Sequence, residues 1–242
     1  MMLKAVFFSF AILLLLPFLA VAQGDDEGVD EFGRDLDEMT LLKNGPNKDK
    51  YSHLFVSYGF LLGEPESDSA SIIYGKSSTF QIGILFKWRM KKWMELGFDV
   101  SYHYAAFHLQ QDSSKVIPNR QIHDKGKMLF NDLMLTPFVR IKLKNKYHST
   151  GTFVDLGGFA GFTYRAVHYT IDYHHAPNSH RTKMRDIRLD YNQDYSYGVM
   201  ARLGFNRIIF YGKYRLSDLF KEKYGYPELP RIEAGLMIGL HN

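Results

Sequence analysis

Residues 94–104 read Met94-Glu95-Leu96-Gly97-Phe98-Asp99-Val100-Ser101-Tyr102-His103-Tyr104. Every even position is apolar or aromatic. Every odd one is small, polar or charged. An alternation with period two describes a β-strand with two unlike faces, and it is incompatible with the 3.6-residue period of a helix.

The same alternation recurs on both sides. Phe80, Ile82, Ile84, Phe86 and Trp88 alternate with Thr79, Gln81, Gly83, Leu85 and Lys87. Leu133, Leu135, Val139, Ile141 and Leu143 alternate with Asp132, Thr136, Arg140 and Lys142. The pattern returns from Tyr195 to Phe205 and from Ile232 to Leu240, and in weaker form at 52–63, 152–170 and 207–217. Beyond residue 50 there is no long helical period. The count is eight strands, most of them long enough for the 9–11 residues that a membrane strand needs.

Links between the strands alternate in length. Those near 64–77, 108–128, 171–193 and 218–229 are long and polar, whereas those near 89–92, 144–150 and 205–207 are short. An up-and-down membrane barrel has long loops at one end and short turns at the other.

Alternation alone leaves open which face points outward, because a soluble barrel alternates too. An eight-stranded interior is only just wide enough for side chains, and the Phe, Tyr, Leu and Ile residues of the apolar face would overfill it. Glycine falls mainly on the polar face, as at Gly83, Gly97, Gly198, Gly204 and Gly235, where it relieves crowding. Trp88, Trp93 and Phe205 fall near the short turns, and Tyr58, Tyr102, Tyr104, Tyr164, Tyr195, Tyr197 and Tyr214 toward the long loops. Two aromatic girdles of this kind mark the interfaces of a membrane barrel. The expected fold is therefore all-β, an eight-stranded antiparallel up-and-down transmembrane β-barrel with its apolar face outward.

The inward parity then carries Glu95, Asp99, Asp132, Arg140, Lys142, Asp155, Arg165, Arg202, Lys213, Arg215, Arg231 and Glu233. Acids and bases come from different strands. Unpaired buried charge costs several kcal/mol, so a narrow interior demands mutual pairing. A paired plug is expected rather than a pore constriction, since open aqueous channels appear at about 16 strands.

Other constellations are weaker. His174, His175 and His180 share one long loop with Asp172, but without the spacing of a metal site. Arg181, Lys183, Arg185 and Arg188 continue that loop, and basic residues there could pair with lipopolysaccharide phosphates. Ser101 and His103 share a strand face with Asp99, yet residues two apart on one strand need not hydrogen-bond, and no oxyanion hole is evident. No catalytic residue and no cofactor is expected.

The N-terminus has the form of an export signal. A basic start through Lys4 precedes an apolar run from Ala5 to Leu19, and Ala20-Val21-Ala22 forms a small-x-small cleavage site. A retained anchor is the alternative, but the run is near the lower length limit for a span. Residues 24–40 then hold eight acids against one base, Arg34, while 41–242 hold 28 bases against 18 acids. Such an acidic run reads as a solvated tail. The expected organisation is a signal peptide at 1–22, an acidic periplasmic segment at 23–50 and a barrel at 51–242. The chain has no cysteine, which excludes disulfides, thiolate metal sites, cysteine nucleophiles and a lipid-modified cysteine.

The stretch Arg202-Leu203-Gly204-Phe205-Asn206-Arg207, then Phe210-Tyr211-Gly212-Lys213-Tyr214-Arg215-Leu216-Ser217-Asp218-Leu219-Phe220, Pro227-Glu228-Leu229-Pro230-Arg231 and Gly235-Leu236-Met237-Ile238-Gly239-Leu240, resembles the C-terminal hairpin of the PorT-like, porin-family outer-membrane barrels of Bacteroidetes type. The resemblance extends over 50–242 and is strongest in 202–240. It implies localisation in the outer membrane, contact with outer-membrane lipid and lipopolysaccharide, assembly by the barrel insertase, and a structural or accessory role. Some members of the family serve the type IX secretion apparatus, which implies an envelope-complex protein as partner. Nucleic acid is excluded by export. This chain departs from the family by ending Leu240-His241-Asn242, where such barrels often end in an aromatic residue. A narrow solute pore and a lipid-modifying enzyme are the alternatives.

Overall fold

The computed structural model describes residues 49–113, 115–117, 121–146, 149–173, 181–187 and 189–240. The expected signal peptide, the expected acidic segment through residue 48, the His174–His175–His180 group and Arg188 lie outside the described residues. Among those described there are nine strands, no α-helix and three one-turn 3₁₀ segments. The strands are β1 (Lys50–Leu62), β2 (Ser78–Lys91), β3 (Met94–Leu109), β4 (Lys125–Lys146), β5 (Ser149–Tyr173), β6 (Arg181–Ile187), β7 (Tyr195–Phe205), β8 (Ile208–Arg215) and β9 (Ile232–Leu240).

All nine belong to one antiparallel sheet. Each strand pairs with its neighbour in sequence except around β6, and β1 pairs with β9 as well as β2. The sheet therefore closes on itself as a ring of eight: β1-β2-β3-β4-β5-β7-β8-β9. Closure leaves none of these eight strands with a bare edge along the ring.

β6 is the element that alternation does not reveal. It falls inside the long 171–193 link and pairs with the upper part of β5, from Val167↔Ile187 to Tyr173↔Arg181. β4 and β5 run for 22 and 25 residues, so they extend well past β7, which ends its pairing with β5 at Phe162↔Tyr195. β6 occupies the place beside β5 that β7 has vacated.

The short connections share one end of the ring. β7 and β8 are joined by Asn206 and Arg207 alone, with Asn206 in the left-handed region at φ 60°. Asparagine accepts that conformation more readily than most residues. β2 and β3 are joined through Lys92 and Trp93. The long connections gather at the opposite end.

The outward face of the ring is apolar. Leu54, Ile82, Ile84, Leu133, Leu135, Leu156, Val199, Phe210, Leu236 and Ile238 are all exposed. From Leu54 to Leu62, Phe80 to Trp88, Leu96 to Tyr104, Leu133 to Leu143, Val154 to Tyr164, Tyr195 to Phe205, Ile208 to Leu216 and Ile232 to Leu240, the outward positions carry no charge. Exposed apolar patches on soluble monomers rarely exceed a few hundred Å², and a belt circling a whole ring is far beyond that.

The inward face is filled. Phe55, Leu85, Met134, Phe138, Phe153, Phe159, Met200, Ile209, Tyr211 and Met237 form one buried cluster. These large side chains fit because glycines face them. Phe153 lies over Gly204, its partner in the β5–β7 register, and a Cβ at Gly204 would collide with its ring. Phe159 lies over Gly198 in the same way. An eight-stranded ring has little room to spare, so each inward ring needs a missing side chain opposite.

Candidate functional site

The charged interior is built in two tiers with apolar packing between them. At the short-turn end, Glu95 on β3 meets Lys87 on β2 at 2.9 Å and Lys142 on β4 at 2.6 Å. Beside it, Arg140 on β4 grips Asp155 on β5 through both oxygens, at 2.7 and 2.8 Å. The paired register Arg140↔Asp155 sets this up directly. The Arg140 guanidinium also lies 3.6 Å from the centre of the Phe153 ring. A fork-to-fork contact held flat on an aromatic face is the geometry in which arginine is most favourably buried. Deeper in, Arg202 on β7 reaches across the ring to Asp99 on β3 at 2.6 Å. All these charges are essentially excluded from solvent.

The second tier centres on Glu233 of β9. Its carboxylate accepts hydrogen bonds from Thr79 and Tyr211, both at 2.8 Å, and lies 3.5 Å from Lys213. His103 spans the ring between two carboxylates: Nδ1 is 3.2 Å from Asp132 and Nε2 is 3.1 Å from Glu233. An imidazole facing an acceptor on each side is suited to donate from both nitrogens. Thr163 donates to the other Asp132 oxygen at 2.6 Å. Lys213 also donates to Gln81 at 2.7 Å, and Gln81 donates to Ser101. Six strands contribute to this one network.

Above it the long connections fold inward and cap the ring. Ala70, Ile72, Ile117, Leu219, Phe220 and Leu229 from the connections pack on Leu61, Phe107, Met128 and Phe130 from the strands. Glu228 ties the cap down. It accepts the backbone N–H groups of Leu219 and Phe220 and pairs with Arg215 at 3.2 Å. Burial in the long-loop region, together with nearby Lys115, pushes the His168 pKa down to about 4. A cavity of about 50 Å³ remains between tier and cap, lined by His103, Asp132, Ser196, Lys213, Arg215 and Glu233 on its polar side. That is space for one or two waters, well below the 300 Å³ or more of typical small-molecule sites.

Ten of the twelve interior charges named from the sequence line this interior: Glu95, Asp99, Asp132, Arg140, Lys142, Asp155, Arg202, Lys213, Arg215 and Glu233. Arg165 does not. It is exposed on the outside of the sheet. A β-bulge is the cause. The β4–β5 register runs Asp132↔Thr163 and then Asn131↔Arg165, so Tyr164 is an extra residue and the parity of β5 reverses there. Arg231 is only half-buried and pairs with Asp218 near the rim.

Four participants escaped the sequence reading of the charge lattice. Lys87 shares its parity with Gly83 and Leu85 and was legible on that ground. His103 shares the inward parity, but its place beside Ser101 suggests a catalytic base as readily as a member of the charge lattice. Tyr211 reads as one more aromatic, and Glu228 lies in a link without periodicity. Ser101 and His103 form no nucleophile–base pair: both ring nitrogens of His103 face carboxylates, and the Ser101 hydroxyl accepts from Gln81.

No protein-family model matches the chain, and no curated protein matches it either.

Proposed function

We propose that this chain is an outer-membrane β-barrel with a closed interior, serving a structural or accessory role in the cell envelope. The observation that carries the reading is the inversion of the ring: uncharged apolar side chains outward, ion pairs inward. A soluble ring would reverse this, because water solvates charge at little cost and apolar burial drives folding. Lipid outside and a side-chain-filled lumen satisfy both faces at once.

The girdle pattern supports the same reading. Trp93 and Phe205 are exposed at the short-turn end. Tyr58, Tyr164, Tyr195, Tyr197 and Tyr214 are exposed toward the long loops. In this arrangement the short turns face the periplasm, where a preceding export signal and acidic segment would leave the N-terminus, and the long connections face outward. The resemblance of 202–240 to PorT-like barrels agrees with that placement and suggests attachment to an envelope or secretion complex.

A closed interior separates this reading from a solute pore. The ion pairs, the cluster around Phe153 and Phe159 and the inward-folded connections lie in series along the axis. Purified protein in planar bilayers is expected to give no stable single-channel steps. Reproducible steps of uniform conductance would show an open path through the ring and replace the accessory role with a pore.

A further inference from the structure

Above the apolar belt, one sector of the ring differs from all the others. The extensions of β4 and β5, together with β6, form a three-stranded sheet that continues the outward face past the β5 bulge. On that face Lys127 pairs in register with Tyr169, and Tyr169 with Arg185. One step further, Lys125 pairs with Ile171 and Ile171 with Lys183. Arg165 joins the same face from below, immediately after Tyr164, the last belt position of β5. Five cations thus share one outward surface.

Acids of the same strands point the other way. Asp172 lies 2.9 Å from His123, and Asp186 lies 3.9 Å from His168, on the opposite side of the hairpin. Asp124, at the upper edge, accepts the backbone N–H of Tyr173. Among the described residues none of the five cations has a carboxylate within ion-pair distance. Two of them are held by neutral rings instead: Lys125 sits 5.3 Å from the Tyr173 ring and Lys127 sits 5.2 Å from the Tyr169 ring. Between Arg165 and the Lys127–Arg185 row lies an apolar row, Leu129↔Val167↔Ile187, with Ile187 exposed.

We infer that this face binds the phosphorylated headgroup of an outer-leaflet glycolipid, the phosphates of lipopolysaccharide. The inference rests on the membrane reading above and deepens it by naming a lipid partner and its place. Strands are spaced about 4.8 Å and alternate residues about 6.7 Å apart, so the cations form a lattice wide enough for a headgroup with more than one phosphate. Extended strands fix their spacing, and arginine and lysine together offer both forked and point-charge contacts to phosphate. The position is also right. Acyl chains would lie against Leu133, Leu135 and Tyr164, and the headgroup would meet the cations directly above. The opposite sector, around β8 and β9, has Arg231 already paired to Asp218.

The test uses the full chain and a variant carrying Lys125→Gln, Lys127→Gln, Lys183→Gln and Arg185→Gln. Both are reconstituted in phosphatidylcholine vesicles with lipopolysaccharide, with dephosphorylated lipopolysaccharide, or with inorganic phosphate alone. Lipid retained on the purified protein is then measured. Wild type is expected to retain intact lipopolysaccharide roughly tenfold better than the variant, and the difference should shrink in high salt or without the phosphates. Inorganic phosphate should compete only weakly. Equal retention by variant and wild type, with both inserted normally, overturns the glycolipid site while leaving the barrel intact. Failure of wild type to insert into plain phosphatidylcholine vesicles overturns the membrane reading, and the lipid site falls with it.

Discussion

Asp155→Asn is expected to destabilise the folded ring by about 3–5 kcal/mol, the usual cost of removing one partner from a buried ion pair. Asp155 is fully buried, and both its oxygens accept from Arg140. An amide keeps the shape but removes the charge, and it turns one acceptor into a donor aimed at a guanidinium. Arg140 would remain inside the ring, close to Lys87 and Lys142, which Glu95 alone must balance. The double replacement Arg140→Met with Asp155→Leu should recover most of the loss, because no charge is then left unpaired. Equilibrium urea unfolding of the three proteins checks this. A single Asn variant as stable as wild type would mean that the Arg140–Asp155 contact is not a closed, solvent-free pair.

Val100→Arg carries the second large effect. Val100 lies midway along the outward positions of β3, beside Ile84 and Leu135 in the registers. Arginine at the midplane of a lipid-facing strand costs about 2–4 kcal/mol. In a water-soluble ring the same outward substitution would fall within about 0.5 kcal/mol of neutral. Folding yield and unfolding midpoint in vesicles of defined thickness distinguish the two cases. Unchanged values would contradict the assignment of this face to lipid.

The fold was legible because facing is written with period two. In 94–104 each parity keeps one chemical character, and the structure preserves that phase from Met94 to Leu109 without interruption on β3. The alternation of short and long links was legible for the same reason, since turns break periodicity. Arg165 shows where this reading stops. One extra residue at Tyr164 inverts every position that follows it on β5, and a bulge has no composition of its own to announce it. β6 was hidden because residues 182–187 are exposed on both faces, so this strand never had to alternate cleanly.

Within the interior, parity identified which charges point inward but not which of them meet. Asp99 finds Arg202 across the ring, more than a hundred residues away in sequence. His103 finds Asp132 and Glu233 on two other strands. These pairings depend on how far each strand is staggered, a property of closure that no single strand encodes. The cap was illegible for a different reason. Ile72, Ile117, Leu219 and Leu229 lie in links without periodicity, so nothing in their spacing marks them as core, yet all four pack in one buried cluster with strand residues.

The absence of cysteine makes one measurement especially direct. Single cysteines placed along β4, at Leu133, Leu135, Val139 and Ile141 on the outward face and at Met134 and Thr136 on the inward one, take a nitroxide label without background. In lipid vesicles the outward labels should collide strongly with dissolved oxygen and weakly with a water-soluble nickel chelate, while the inward labels collide weakly with both. Outward labels that meet the nickel chelate as readily as oxygen would place that face in water and contradict the membrane barrel.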